Sequence, residues 1–289
     1  PTISAITLAG AKPKLVDIGD DYLINVKKIK KSISSKTKAI IPVHLYGHSC
    51  QMREIIKISK RYKIKIIEDC AQAQGAKFKN RYVGTFGDLG CFSFYPTKIL
   101  GAYGDGGLIL TNNFKFYQTA KRIRFYGIET QNKKNKYYNK YYSNEEGINS
   151  RMDEIQASIL NFKLKKVDTF IKKRIYLAKV YTKYLSNTEL KLPLVNKNCK
   201  HVFHLFTIRH KNIKKIIYKL NQKKIQTKII YPYVIQKMKS YKKYKFNNKD
   251  LKNSEKISKE ILCLPLYPEM TRKDVFNISK ALISILEKN

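Results

Sequence analysis

The chain predicts an α/β fold, a large domain built on a mostly parallel sheet followed by a smaller α+β domain, and three observations carry that expectation. Between Lys14 and about Leu110, short β-rich runs alternate with helical patterns, the order expected of βαβ units. A long helical pattern starts near Arg151, and after Pro193 strand and helix signals resume in a shorter stretch. With 289 residues, 43% of them hydrophobic, the chain can fill about two cores.

The elements follow in order. "PTISAITLAGAKPKLVDI" opens as though a helix were already under way before Pro13 breaks it, so a segment upstream of Pro1 is expected. "KLVDI", "AIIPVHL", "KIKIIED", "CFSFY" and "GLILT" read as strands, separated by helices around 25 to 34 and 51 to 61. Residues 128 to 147, polar and tyrosine-rich, read as a long surface loop. Ser150 and Asp153 form an S-x-x-D start for the long helix, which places Ile155, Ile159, Phe162, Val167, Phe170, Ala178, Tyr181 and Leu185 largely on one face. "HVFHLFTIRH", a helix near 211 to 222, "IQTKIIYP" and a helix after Thr271 complete the smaller domain. The expected division is 1–169 and 170–289.

Composition excludes several classes of protein. No apolar run approaches the roughly 18 to 20 residues of a membrane span, and the start lacks the layout of a secretory signal, so the cytoplasm is the expected compartment. Five scattered cysteines without a C-x-x-C pair suit reduced, buried thiols, and no metal site is expected. Lys and Arg number 59 against 21 Asp and Glu, a formal charge of +38 that attracts phosphates and nucleotides. The basic residues are spread throughout rather than gathered into a stripe with interleaved aromatics, so solvated helix faces explain them better than a specific nucleic-acid surface.

The chemistry lies in two neighbouring runs. "KIKIIEDCAQAQG" delivers Asp69 at the end of an apolar strand, with Gln72 three residues on, and aspartate is depleted in strands. A cap or turn role would explain Asp69 if the segment stood alone. About thirty residues later "GCFSFYPTKILGAYGDGG" places Ser93 in a second apolar run and sets Lys98 between that run and a glycine-rich turn. Open sheets bind ligands beyond the carboxyl ends of their strands, where His44 and Asp69 are both expected. Carboxylate, hydroxyl and isolated lysine are the parts a pyridoxal phosphate site needs. The lysine forms a Schiff base with the aldehyde, the carboxylate pairs with the ring nitrogen, and the hydroxyl holds phosphate.

These residues resemble the sugar aminotransferases of the DegT/DnrJ/EryC1/StrS family, whose architecture is fold type I, like aspartate aminotransferase. The likeness runs through "AGAKPKLVDI", "AIIPVHLYGHSCQM", the two runs above, "GINSRMDEIQASIL" and "LCLPLYPEMT", nearly the whole chain. It implies that Lys98 is the Schiff-base lysine, that Asp69 partners the pyridine nitrogen, that Gln72 lies near the ring hydroxyl and that Ser93 holds the phosphate. It further implies a homodimer with shared sites, in which Asn149 reaches the neighbour's cofactor phosphate, although Asn149 reads equally well as a residue flanking a helix cap. His44, Tyr95 and Tyr231 are the substrate contacts it suggests. The implied reaction is transamination of a dTDP- or UDP-linked keto-deoxysugar with glutamate as amino donor, in amino-sugar biosynthesis for a surface polysaccharide or glycoconjugate. The tyrosine-rich "KYYNKYY" points to the 3-keto subgroup, with a 4-keto enzyme, or an inactive or regulatory relative, as alternatives. A lysine-free dehydratase of the same family is disfavoured by Lys98. Two departures stand out: the family's phosphate loop and ring-stacking aromatic have no counterpart in the chain, and Ile230 and Gln236 flank "YP" where the family carries histidines.

Overall fold

The computed structural model describes residues 1–128 and 142–287. The first helix, α1 (Thr2–Leu8), gives way before Gly10. "KLVDI" forms no strand, contrary to expectation, and contributes only a bridge between Ile18 and Ile24. Its aspartate explains the difference. The buried Asp17 carboxylate accepts from Lys28 Nζ and from the backbone N–H groups of Asn253 and Ser254, which holds the run against the C-terminal half of the chain.

Helix α2 (Val26–Ser32) starts where the Asn25 side chain accepts the Lys27 N–H, a normal N-cap, and buries Ile29. β1 (Ala39–Ile40) is short because Pro42 has no N–H to offer a ladder, although its carbonyl accepts the Asp69 N–H and Val43 bridges Asp69. Helix α3 (Met52–Tyr62) buries Met52, Ile55 and Ile58, one face at helical spacing, and stops at Lys63 in the left-handed region. It packs over β2 (Lys65–Asp69). A small hairpin of β3 (Lys77–Phe78) and β4 (Arg81–Tyr82) separates β2 from β5 (Leu89–Ser93), and β6 (Gly107–Leu110) and α4 (Phe114–Arg124) follow. The sheet order is β1-β2-β5-β6, with the first three strands parallel and β6 antiparallel at the edge.

The long helix expected from Arg151 is two helices, α5 (Glu154–Leu164) and α6 (Val167–Leu185). The Ser150 start does not form: the Ser150 N–H donates to Arg124, and the cap position is Asp153, whose side chain makes no capping bond. The expected apolar face also divides at the break. Ala178, Tyr181 and Leu185 of α6 are buried, whereas Ile155 and Phe162 of α5 are 73% and 63% exposed.

The C-terminal part contains β7 (Cys199–Lys200), which pairs back onto β3, then β8 (Phe206–Arg209), α7 (Ile213–Gln222), α8 (Lys252–Glu260), β9 (Ile261–Leu264) and α9 (Arg272–Glu287). "IQTKIIYP" supplies a single bridge, Lys228 to Cys263, rather than a strand. β8 and β9 pair antiparallel, and α6, α7 and α9 pack around them to form a core that includes Leu177, Tyr181, Phe206, Ile216 and Leu282. A separate core lies between α2, α3 and the parallel strands, around Ile29, Ile55 and Ile66. Among the described residues no helix is long and apolar enough to cross a membrane.

Candidate active site

Strand alternation decides the first division of labour. Glu68 and Asp69 are neighbours on β2, so their side chains leave opposite faces of the sheet. Glu68 is fully buried and accepts four hydrogen bonds: His44 Nε2 and the Gly84 N–H on Oε2, the Phe86 and Gly87 N–H groups on Oε1. Burial opposes its ionisation, but these donors outweigh it and hold the carboxyl below its usual range. Asp69 is half-buried at the carboxyl end of β2, where Oδ1 takes the Ala71 N–H at 3.1 Å and Oδ2 the Thr2 hydroxyl at 2.7 Å.

Parallel pairing of Asp69 with Cys91 brings the end of β5 alongside, so Ser93, the last residue of β5, shares this edge of the sheet. Ser93 Oγ accepts the Tyr95 N–H at 3.3 Å, which leaves the hydroxyl proton for another acceptor. The chain then turns through Pro96, and the Lys98 N–H closes the turn on the Tyr95 carbonyl. Gly101 is needed there for space rather than for an unusual dihedral: a Cβ would come within 2.5 Å of the Pro96 oxygen. Lys98 is half-buried, and among the described residues its amine has no hydrogen-bond or ion-pair partner. Burial pulls its pKa below that of an ordinary lysine, with the Asp69 charge acting in the opposite direction.

Gln72 ties two parts of the chain together. Its Oε1 accepts the Tyr46 N–H at 2.8 Å, and because a backbone N–H can only donate, the amide orientation is set. Nε2 therefore donates to Tyr231 Oη at 2.7 Å, and the Tyr231 proton is free to point elsewhere. Burial raises the Tyr231 pKa; the Gln72 bond works against that rise and the Asp69 charge adds to it. Tyr46 adopts φ 58°, a strained conformation for a tyrosine, and this conformation accompanies the N–H contact with Gln72.

Other expected site residues fall differently. His44 is fully buried, and both of its ring nitrogens are taken: Nδ1 accepts the Cys50 N–H and Nε2–H donates to Glu68. It has no nitrogen left for a substrate, so it is a strut behind the sheet rather than a contact. His44, Glu68 and Cys70 lie close enough together to suggest a cation, but the four donors on Glu68 and the two partners of His44 use the lone pairs and protons a metal would need. Tyr95 shapes the turn through its backbone while its phenol is 52% exposed. Asn149 lies five residues before α5 rather than at its start, bridged to Phe125, and its Oδ1 accepts from Arg151. The "KYYNKYY" run lies outside the described residues apart from Tyr142.

Two residues escape a reading by motif. Thr2 lies 67 positions from the carboxylate it contacts, and no local pattern signals the pairing. His204 is buried with an unpartnered Nδ1 between the fields of Lys98 and Arg174, and burial together with those charges lowers its pKa to about 3. Its sequence signal is weak, one of three histidines in "HVFHLFTIRH", just ahead of β8.

An unpartnered amine of lowered pKa, a carboxylate with lone pairs to spare and a hydroxyl with a free proton make a donor set that fits pyridoxal phosphate. The DegT/DnrJ/EryC1/StrS aminotransferase family model matches residues 1–283. A dTDP-3-amino-3,6-dideoxy-alpha-D-galactopyranose transaminase from Aneurinibacillus thermoaerophilus is 41% identical over 97% of this chain and 75% of its own length. A dTDP-3-amino-3,4,6-trideoxy-alpha-D-glucose transaminase from Micromonospora megalomicea subsp. nigra is 38% identical over 93% of this chain and 72% of its own. The crystal structure of NtdA from Bacillus subtilis with bound cofactor PMP superposes with a TM-score of 0.87 at 32% identity, covering 99% of this chain and 65% of that one. The chain belongs to the DegT/DnrJ/EryC1/StrS aminotransferase family, with the fold type I architecture and the pyridoxal phosphate dependence of that family.

Proposed function

We propose that this family member moves an amino group from an amino acid, glutamate being the expected donor, to the ketone of a dTDP- or UDP-linked 3-keto-deoxysugar, and that Lys98 carries the chemistry. The observation behind the assignment is the Lys98 amine: half-buried, without a hydrogen-bond or ion-pair partner among the described residues, of lowered pKa and within the field of Asp69 at the carboxyl edge of the sheet. The two relatives above carry the names of dTDP-3-amino-sugar transaminases, which supports the 3-keto substrate class. Pyridoxal phosphate, when bound, supplies an aldehyde for the amine and a ring that accepts the electron pair released at the substrate carbon.

Lys98 Nζ is the amine that would hold the cofactor, and the base that would take a proton from the donor's α-carbon. A lysine of ordinary pKa is protonated at neutral pH; the lowered value leaves more free amine for both tasks. Asp69 would favour a positive charge on the ring nitrogen. Ser93 Oγ donates to phosphate with the proton its Tyr95 contact leaves free. Gln72 orients Tyr231, whose hydroxyl proton is left free for a cofactor or substrate.

We further propose two domains, 1–169 and 170–289, with the boundary inside α6, where Ile171 packs with Cys70 and Val202 while Leu177 enters the C-terminal core. The exposed Ile155, Phe162 and Leu164 of α5 support a homodimer, which would also give Asn149 its reach to a neighbour's phosphate. Five free cysteines fit the cytoplasm.

The test is to incubate the protein with pyridoxal phosphate, glutamate and a panel of nucleotide-linked 3-keto and 4-keto deoxyhexoses, and to follow 2-oxoglutarate and aminated nucleotide sugar by mass spectrometry. Amination of 3-keto sugars is expected. Cofactor uptake with amination of 4-keto sugars alone would overturn the positional assignment.

A further inference from the structure

We propose that Thr2 is a positioning residue for Asp69: its hydroxyl fixes the rotation of the carboxylate that partners the cofactor's ring nitrogen, which makes α1 part of the cofactor site. The proposal rests on the pyridoxal phosphate reading above. Thr2 Oγ1 donates to Asp69 Oδ2 at 2.7 Å, and the Ala71 N–H holds Oδ1 at 3.1 Å. One donor on each oxygen sets the plane of the carboxylate. Each oxygen has about two lone-pair directions, so each keeps one for a further partner. Glu68, with two donors on each oxygen, has none to spare.

The Thr2 contact is held from both sides. A threonine in a first helical turn usually serves its own helix, yet α1 has no side-chain cap and the Thr2 hydroxyl reaches across 67 residues instead. Ile3 is buried, and Ser4 Oγ lies 2.8 Å from Tyr241 Oη, so the helix is anchored to residues 239–244 while Thr2 faces β2. A carboxylate free to rotate would meet the ring nitrogen in several orientations. A carboxylate held at both oxygens is preorganised for one.

The experiment compares Thr2→Val, which keeps the shape and removes the donor, with Thr2→Ser, which keeps the donor, by titrating each purified protein with pyridoxal phosphate and recording visible absorbance. Thr2→Val is expected to weaken cofactor binding about tenfold, the loss of one hydrogen bond to a charged group, and to shift the visible band. Thr2→Ser should stay within about twofold of the parent with an unshifted band. In an Asp69→Asn background Thr2→Val should change little, because the two residues act as one unit. Unchanged affinity and spectrum in Thr2→Val overturn the proposal. Equal losses in Thr2→Val and Thr2→Ser also overturn it, by assigning the effect to helix packing, as does a full additional loss in the Asp69→Asn background. A parent protein that takes up no pyridoxal phosphate would overturn the cofactor reading itself, and this proposal with it.

Discussion

Glu68 lies behind β2 with four hydrogen-bond donors around it, whereas Asp69, one residue on and facing the other way, accepts two and acts on the Lys98 amine through its field. The same chemical group thus serves structure on one face of a strand and is available for chemistry on the other. The back face is closed: His44 bridges Glu68 and the Cys50 N–H, and Gly84, Phe86 and Gly87 turn their N–H groups inward. The front face is left open by design of its partners, with an amine, a hydroxyl proton and carboxylate lone pairs uncommitted. Saturation therefore separates the two roles better than burial or residue type does.

Substitutions on the front face should reduce turnover without unfolding the protein, and the largest effect is expected at Lys98. Lys98→Ala should lower the transamination rate by at least about a thousandfold and end borohydride-trapped labelling by pyridoxal phosphate, with the unfolding midpoint nearly unchanged. Labelling that persists in the variant would show that another amine holds the cofactor.

The neighbouring carboxylates give the sharpest contrast. Asp69→Asn should keep the fold and lower turnover by on the order of a hundredfold or more, with Asp69→Glu less affected. Glu68→Gln should do the reverse. Its amide nitrogen meets N–H donors where a carboxylate oxygen stood, so a stability loss of about 3 to 5 kcal/mol is expected in denaturant unfolding, while the folded fraction retains its turnover per site. If Glu68→Gln proved stable and inactive, the division between the faces would fail.

Acid should act on the buried histidines first. His48 is buried and stacked on His201, and burial lowers its pKa to about 4, with Asp21 opposing and His44 adding to the shift. Between about pH 6.5 and 4 the unfolded chain binds a proton at this residue that the folded chain does not, so stability falls as pH falls through that window. Glu68, held below its usual range, loses its contribution at lower pH still, as its folded form takes up a proton. Unfolding free energies measured across this range should drop by about 3 kcal/mol on account of His48, and His48→Gln should flatten the slope. A slope unchanged in that variant would move the effect to other groups.

The smallest expected change is at Tyr231. Tyr231→Phe removes the acceptor for Gln72 Nε2 and a hydroxyl proton that this bond leaves free, which should cost about 1 kcal/mol, seen as a several-fold rise in KM for the sugar with the fold intact. A loss confined to kcat would place the hydroxyl in the proton-transfer step instead.

Much of this was legible in the chain. The alternation of apolar strands with helices between Lys14 and Leu110 marked the parallel sheet, and the Asp69, Gln72, Ser93 and Lys98 spacing located the carboxyl edge of that sheet. Short-range patterns succeed there because a strand of period two and a turn closed at Lys98 place these residues almost by local geometry alone. The same patterns misplaced "KLVDI" and the start of α5, since a buried Asp17 carboxylate and the Ser150–Arg124 backbone bond are contacts with distant segments that override local preference.

The family and its cofactor were therefore legible in the sequence through the resemblance its motifs carry, because those motifs are runs of residue type at short spacing. Only the tertiary structure decided that His44 is a strut, that Gln72 spends its amide on Tyr46 and Tyr231, and that Thr2 reaches Asp69. Whether a polar side chain is committed or free depends on which donors and acceptors packing brings within about 3 Å, and those partners lie up to 237 residues away.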